Sequence, residues 1–150
     1  LMFALVVSST PAQDKSVGEN SFRTMRNFSN KIWNAARFVK DFENEVKDDP
    51  SFNLWCQKEL PNQITKLLTK YKIGLAAEKL YNDFWHKFCD IEIERAKKGK
   101  VSSKQLKEGL LTFIKLLHPF VPFVTEAIFK EVFAKNENDL LVNSTWINLV

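Results

Sequence analysis

The stretch Arg26-Asn-Phe-Ser-Asn-Lys-Ile-Trp-Asn-Ala-Ala-Arg-Phe38 decides the fold class, because its apolar residues recur at helical spacing. Stepping about 100° per residue from Phe22, Met25, Phe28, Ile32, Ala35, Ala36 and Val39 share one side. Arg23, Arg26, Asn27, Asn30, Asn34 and Arg37 share the opposite sector, bordered by Trp33 and Phe38. Asparagine is a mediocre helix former, so three in one stripe call for a reason beyond propensity. Forked Arg donors and Asn amides beside aromatic faces suit phosphates and unstacked bases. The same amides, buried between helices, would instead fix the bundle by hydrogen bonding. The residues alone leave both readings open.

Outward from this helix the pattern stays helical. Ser21 is the expected N-cap, Glu45 the approximate end, and Asp48-Asp-Pro-Ser51 the stop. A second helix covers Phe52 to Tyr71, with Trp55, Ile64, Leu67, Leu68 and Tyr71 apolar and Pro61 kinking or restarting it. A third starts near Leu75 and keeps Ala76, Ala77, Leu80, Tyr81, Phe84, Phe88 and Ile91 on one face through Arg95. Gly99 is its expected C-cap. The fourth follows Ser102 or Ser103, carries Leu106, Leu110, Phe113, Ile114 and Leu117, and stops at Pro119. The fifth runs from about Pro122 to Ala134, with Phe123, Ala127, Ile128 and Val132 inward. Leu140 to Ile147 reads as an extended tail. The expectation is an all-α bundle of about five helices, residues 21–150, preceded by a loop-rich connector over residues 1–20.

Composition fits one globular domain. The chain has 150 residues, 45% hydrophobic and 27% charged, and its 13 Phe predict a Phe-rich core. A net charge of +4 and a pI near 9.0 suit a polyanionic partner without deciding for one. Cys56 and Cys89 lack metal-ligand spacing and read as buried thiols of a cytoplasmic protein. The apolar run Leu1–Val7 is too short to span a bilayer and has no basic flank, so no membrane partner is expected. It looks like a segment internal to a longer chain.

Catalytic constellations are missing from the pattern. His86 and His118 have no carboxylate, Ser or Cys at catalytic or zinc spacing. His86 reads as a partly buried packing residue and His118 as a helix-end group. The carboxylate pairs Glu92/Glu94 and Asp48/Asp49 read as solvated helix ends. Lys97, Lys98, Lys100, Lys104 and Lys107 surround one helix–helix turn, where they either meet a phosphate backbone or keep a surface turn soluble. None of the four Gly builds a phosphate-cradling loop.

Several segments together resemble the anticodon-binding helical domain of class I aminoacyl-tRNA synthetases. Phe3-Ala-Leu5 with Ser9-Thr-Pro-Ala-Gln-Asp14 looks like the family's connection out of the catalytic half. Arg26 to Phe38 is similar to the first helix of the valine branch almost residue for residue. Ala76-Ala77 with Leu80-Tyr-Asn-Asp-Phe-Trp-His-Lys-Phe-Cys-Asp90, and Leu116-Leu-His-Pro-Phe-Val-Pro-Phe-Val-Thr-Glu126, look like two further family segments in order. The chain departs from the pattern at Ala12, at Asn53-Leu-Trp55 and at Ile91-Glu-Ile-Glu94.

The resemblance implies a parent enzyme that activates valine with ATP and transfers it to its tRNA, with chemistry in a catalytic domain of the same chain. Neither the His-Ile-Gly-His-like signature nor the Lys-Met-Ser-Lys-Ser loop occurs here, so these residues are expected to be non-catalytic and to hold no cofactor of their own. The expected partner is a valine isoacceptor tRNA, contacted through Arg23, Arg26, Asn27, Asn30, Asn34, Arg37, Phe38, Lys97, Lys98 and Lys100. The rival readings are an isoleucine or leucine relative of the same domain, and a helical protein–protein module.

Overall fold

A computed structural model describes residues 19–141. Among the described residues there are five helices and no strand. Helix α1 is Glu19–Asp41. Helix α2 (residues 50–69) joins Pro50–Asn53, π-helical turns over Leu54–Glu59 and Leu60–Thr69. Helix α3 (residues 73–97) joins Ile73–Asn82, π-helical turns over Asp83–Glu92 and Ile93–Lys97. Helices α4 and α5 are Ser103–Leu117 and Pro122–Val132. The connector over residues 1–20 lies almost wholly outside the described residues, as does the tail beyond Leu141.

The α3–α4 pair is the middle of the bundle. Helices α1 and α5 pack on one side of it and α2 on the other. Phe28, Phe52, Phe84, Phe88 and Phe113 are fully buried, one or more from every helix except α5. Phe113 meets Phe84 edge-on at 5.2 Å and Phe88 at 5.5 Å. Each buried Phe contributes about 2–3 kcal/mol of transfer free energy, so this cluster is the main apolar anchor. Helix α4 can come so close because Gly109 has no Cβ. A methyl there would stand 2.8 Å from Phe52 Cζ and 3.1 Å from Phe88 Cε2.

Helix ends follow side-chain chemistry, in part against expectation. Helix α1 is under way at Glu19, ahead of Ser21, and stops at Asp41 instead of Glu45. Beyond it Asn44 is captured by another turn: its Nδ2 donates to the carbonyls of Ala96 (3.3 Å) and Val101 (3.0 Å), and its Oδ1 accepts from Ser103 N–H at 2.8 Å. Those bonds offer more than another half-turn of helix would. The Asp48–Ser51 run begins α2 rather than ending α1. Asp49 is the N-cap, accepting from Ser51 N–H at 3.0 Å, with Pro50 at the first helical position.

At Pro61 helix α2 restarts, as expected: the π-helical turns over Leu54–Glu59 give way to an α-helical segment, Leu60–Thr69, with Pro61 in its first turn. The preceding turns widen so that Leu60 N–H reaches Trp55 O, which relieves the crowding a proline ring imposes on the carbonyl one α-turn back. Wide turns also shift the phase of α3. Ile91, expected inward, is 49% exposed, while Glu92 and Ile93 are buried. Glu92 is therefore no solvated helix-end acid: it accepts from Arg95 Nη1 at 2.8 Å.

Helices α2 and α3 end in the same turn. Gly99 N–H and Lys100 N–H donate to Ala96 O and Arg95 O, with Gly99 at φ +76°. Tyr71 N–H and Lys72 N–H repeat the pattern on Leu68 O and Leu67 O, with Tyr71 at φ +59°. Tyr71 is thus not on the apolar face but 89% exposed. In α5, Phe123 (90% exposed) and Ala127 also point outward against expectation, leaving Thr125 and Ile128 inward. Thr125 sits there because its hydroxyl is fully used, at 2.9 Å from Val121 O and 2.8 Å from His118 Nδ1. His118 thus ties the end of α4 to α5. His86 is exposed rather than packed, 3.5 Å from Asp90.

Candidate nucleic-acid interface

The polar stripe of α1 faces solvent. Arg23, Arg26, Asn27, Asn30, Asn34 and Arg37 are all exposed. Among the described residues, the side chains of Arg23, Arg26, Asn27, Asn30 and Asn34 make no hydrogen bond or ion pair. This excludes the buried-seam reading for these asparagines. From Arg23 to Lys40 the helix carries five cationic residues and no acid; its two acids, Glu19 and Asp41, stand at its ends, one turn from Arg23 and Arg37.

The flanks are held by the neighbouring helices. On one side Lys40 pairs with Glu131 of α5 at 2.7 Å. That hydrogen bond and charge hold the Glu131 carboxyl below its ordinary range, with Arg37 adding to the field. On the other side Lys31 lies 3.7 Å from Asp90 of α3 and 5.2 Å from the Trp85 ring centre. Two aromatic rings border the stripe with cations over them: Arg37 over Trp33 at 5.6 Å, and Lys97 over Phe38 at 5.1 Å. Phe38 is half-buried and stacks on Phe42 at 5.1 Å.

Lys97 therefore joins the C-terminal part of the stripe to the α3–α4 turn, although Glu94 takes part of its charge at 2.8 Å. Lys98 and Lys100 are exposed and have no carboxylate partner among the described residues. Lys107 is committed elsewhere, to Glu43 at 2.6 Å, a bond that lowers the Glu43 pKa. Lys104 lies 4.0 Å from Glu108. Of the five lysines around this turn, Lys98 and Lys100 are thus the ones left to an external anion.

A buried polar hub fixes the geometry of that turn. Gln105, fully buried, uses all four of its amide valences. Its Oε1 accepts from Ser102 N–H (3.2 Å) and Asp49 N–H (2.8 Å), and its Nε2 donates to Asp49 O (2.8 Å) and Asn53 Oδ1 (2.9 Å). Ser102 Oγ accepts from Gln105 N–H, completing a capping box, and donates to Asp48 at 2.6 Å. Arg95 bridges Asp49 and Glu92. Burial would raise the Asp49 pKa, but the Ser51 and Arg95 hydrogen bonds outweigh it and hold the carboxyl below its usual range. Amides do lock this bundle, at Asn44 and Gln105 rather than on the α1 stripe.

Sequence reasoning missed a second basic region. At the end of α2 and the start of α3, Gln63, Lys66, Leu67, Lys70, Lys72 and Lys79 line a cleft of about 410 Å³. Its signal was present: residues 60–77 hold three lysines and no acid. Cys56 and Cys89 are unpaired and buried, and burial pushes both thiols up to about 12, so neither is a nucleophile. The described residues hold no cluster of metal-ligating side chains, and none of their helices is long and apolar enough to cross a membrane.

Comparison with known proteins places this geometry in a family. Residues 57–148, more than half of the chain, match the family model described as the anticodon-binding domain of tRNA ligase. Similar curated proteins include the valine–tRNA ligases of Clostridium tetani (31% identical over 97% of this chain), Pseudothermotoga lettingae (34% over 96%) and Staphylococcus epidermidis (36% over 97%). The chain spans 18–19% of the length of these relatives. An all-α bundle with an exposed cationic stripe and a family match over most of its helices carries one conclusion: this chain belongs to the anticodon-binding domains of tRNA ligases.

Proposed function

We propose that this chain is the anticodon-binding part of a cytoplasmic valine–tRNA ligase, holding a valine isoacceptor tRNA while a catalytic domain of the same protein joins valine to it with ATP. The observation that carries the reading is the row of exposed Arg and Asn side chains on α1, which have donors to give and, for five of the six, no partner among the described residues to give them to. Arg23, Arg26 and Arg37 would hold phosphates, while Asn27, Asn30 and Asn34 would read base edges beside Phe38. Lys97, Lys98 and Lys100 would extend the phosphate track past the α3–α4 turn. Relatives named as valine–tRNA ligases across the chain's length favour valine over isoleucine or leucine. Exposure of the stripe favours RNA over a protein-packed seam.

Arg23, Arg26 and Arg37 changed together to Ala should weaken binding of a valine tRNA transcript and lower the slope of log K against log salt by about 2, from roughly 0.7–0.9 per lost phosphate contact. An unchanged slope with the melting curve intact removes the stripe from the interface. Equal affinity for transcripts carrying valine and isoleucine anticodons would refute the valine assignment.

A further inference from the structure

The cleft between α2 and α3 lies across the α3–α4 pair from the stripe, so the α1 contacts do not account for it. Lys66 and Lys70 project from the last turns of α2, Lys72 from the turn, and Lys79 from α3. Lys79 is held by Asp83 at 3.0 Å. Lys66, Lys70 and Lys72 are exposed and have no carboxylate partner among the described residues. Their alkyl stems wall the concavity, and the exposed ammonium groups they carry are uncommitted charges that an anion at its mouth can gather.

The turn also presents an aromatic ring in an unfavourable way. Tyr71, between Lys70 and Lys72, is 89% exposed and sits at φ +59°, a conformation costing an L-residue about 1–2 kcal/mol. The equivalent position at the end of α3 is Gly99, which pays no such penalty. A tyrosine there gains nothing from packing, so its ring has no structural use that offsets its backbone cost.

We propose that this cleft is a second RNA contact, in which Lys66, Lys70 and Lys72 hold the phosphates of an unpaired nucleotide segment whose base stacks on Tyr71. Stacking on an exposed ring flanked by cations is the recurring way in which proteins hold unpaired nucleotides. The Gln63 amide at the cleft wall can donate to a phosphate and accept from a ribose hydroxyl. The proposal rests on the tRNA-binding reading above and adds to it a second, spatially separate face.

The test is fluorescence anisotropy of a labelled tRNA transcript titrated with this chain between about 50 and 200 mM salt, using two variants beside the Arg-to-Ala stripe variant. Lys66, Lys70 and Lys72 changed together to Ala should lower the salt slope by about 2. Tyr71→Gly should weaken binding about tenfold without lowering the melting temperature, because it removes the ring while relieving the backbone. A lysine variant with the parent's slope, or Tyr71→Gly with the parent's affinity, overturns the proposal. If only the stripe variant flattens the slope, tRNA binding through α1 stands and the cleft is reassigned to an acidic protein surface. If only the lysine variant does, the cleft stands and the stripe assignment falls. Binding too weak to detect in the unaltered chain overturns both.

Discussion

Gln105→Leu is the sharpest perturbation of the scaffold that presents the stripe. Leucine has nearly the volume of glutamine, so the change removes polar valences from a fully buried site without opening a cavity. Ser102 N–H, Asp49 N–H, Asp49 O and Asn53 Oδ1 all lose a partner. Each orphaned buried group costs about 1–3 kcal/mol. Asp49 and Asn53 are only half-buried and partly recover by hydration, which brings the expected loss to about 3–5 kcal/mol, or roughly 10–15 °C in melting temperature for a chain of this size. Thermal unfolding followed by far-UV circular dichroism reads this directly. Gln105→Glu adds a sign test. It keeps the two acceptor bonds but sets a carboxylate against Asp49 O and Asn53 Oδ1, which raises the folded-state pKa of the introduced group above its unfolded value of about 4.3. The folded state then binds the extra proton more tightly, so stability relative to the parent falls as pH rises from about 4 and levels off above the folded pKa. A Gln105→Leu melt within about 2 °C of the parent, or a Gln105→Glu deficit that grows on acidification, would refute this account of the hub.

The two helix-ending turns make paired predictions of opposite sign. Tyr71→Gly relieves about 1–2 kcal/mol of left-handed strain against about 0.4–1 kcal/mol of added unfolded-state entropy, a net gain of up to about 1.5 kcal/mol, or at most roughly 3–6 °C. Gly99→Ala should lose about 1 kcal/mol, although its Cβ would find ordinary room 3.7 Å from Val46 Cγ1; shifts of the same sign at both positions would refute the backbone argument. Gly109→Ala gains about 1 kcal/mol of helix propensity but places a methyl 2.8 Å from Phe52 Cζ and 3.3 Å from Cys56 Sγ. Overpacking of this kind costs about 1–3 kcal/mol, so the urea midpoint should fall, and a raised midpoint would mean that α2 moves freely away from α4.

What could be read from the sequence was whatever one helix settles by itself. The buried face of α1 and the Gly99 cap are local choices and stand as read, and of the two serines read as preceding α4 it is Ser102 that caps it. Ile91 failed because a fixed α-helical period was carried through a segment whose turns are wider. Asn44 and Gln105 went unread because their partners lie on other elements, 52 to 59 residues away in the chain, and Glu92 was misread because the same wide turns carry it inward, where Arg95 of its own helix pairs with it. The lysine cleft was missed for the same reason, since two helices and a turn must come together before Lys66, Lys72 and Lys79 become one surface.

The candidate interface depends on both levels. Periodicity places Arg and Asn on the outer side of α1, but it does not say whether a neighbour covers them. That is settled by where the acids go. Glu131 is taken up by Lys40, Asp90 lies against Lys31, Glu94 holds Lys97 and Glu43 holds Lys107, so the acids of the neighbouring elements are spent on its borders, and Asp41 stands only at its C-terminal end. The hub around Gln105 and Asn44 then fixes the α3–α4 turn against the end of α1 and keeps Lys97 over Phe38. A charged stripe stays available to an external polyanion when the fold pairs the charges around it and leaves its own unpaired, and this bundle meets both conditions.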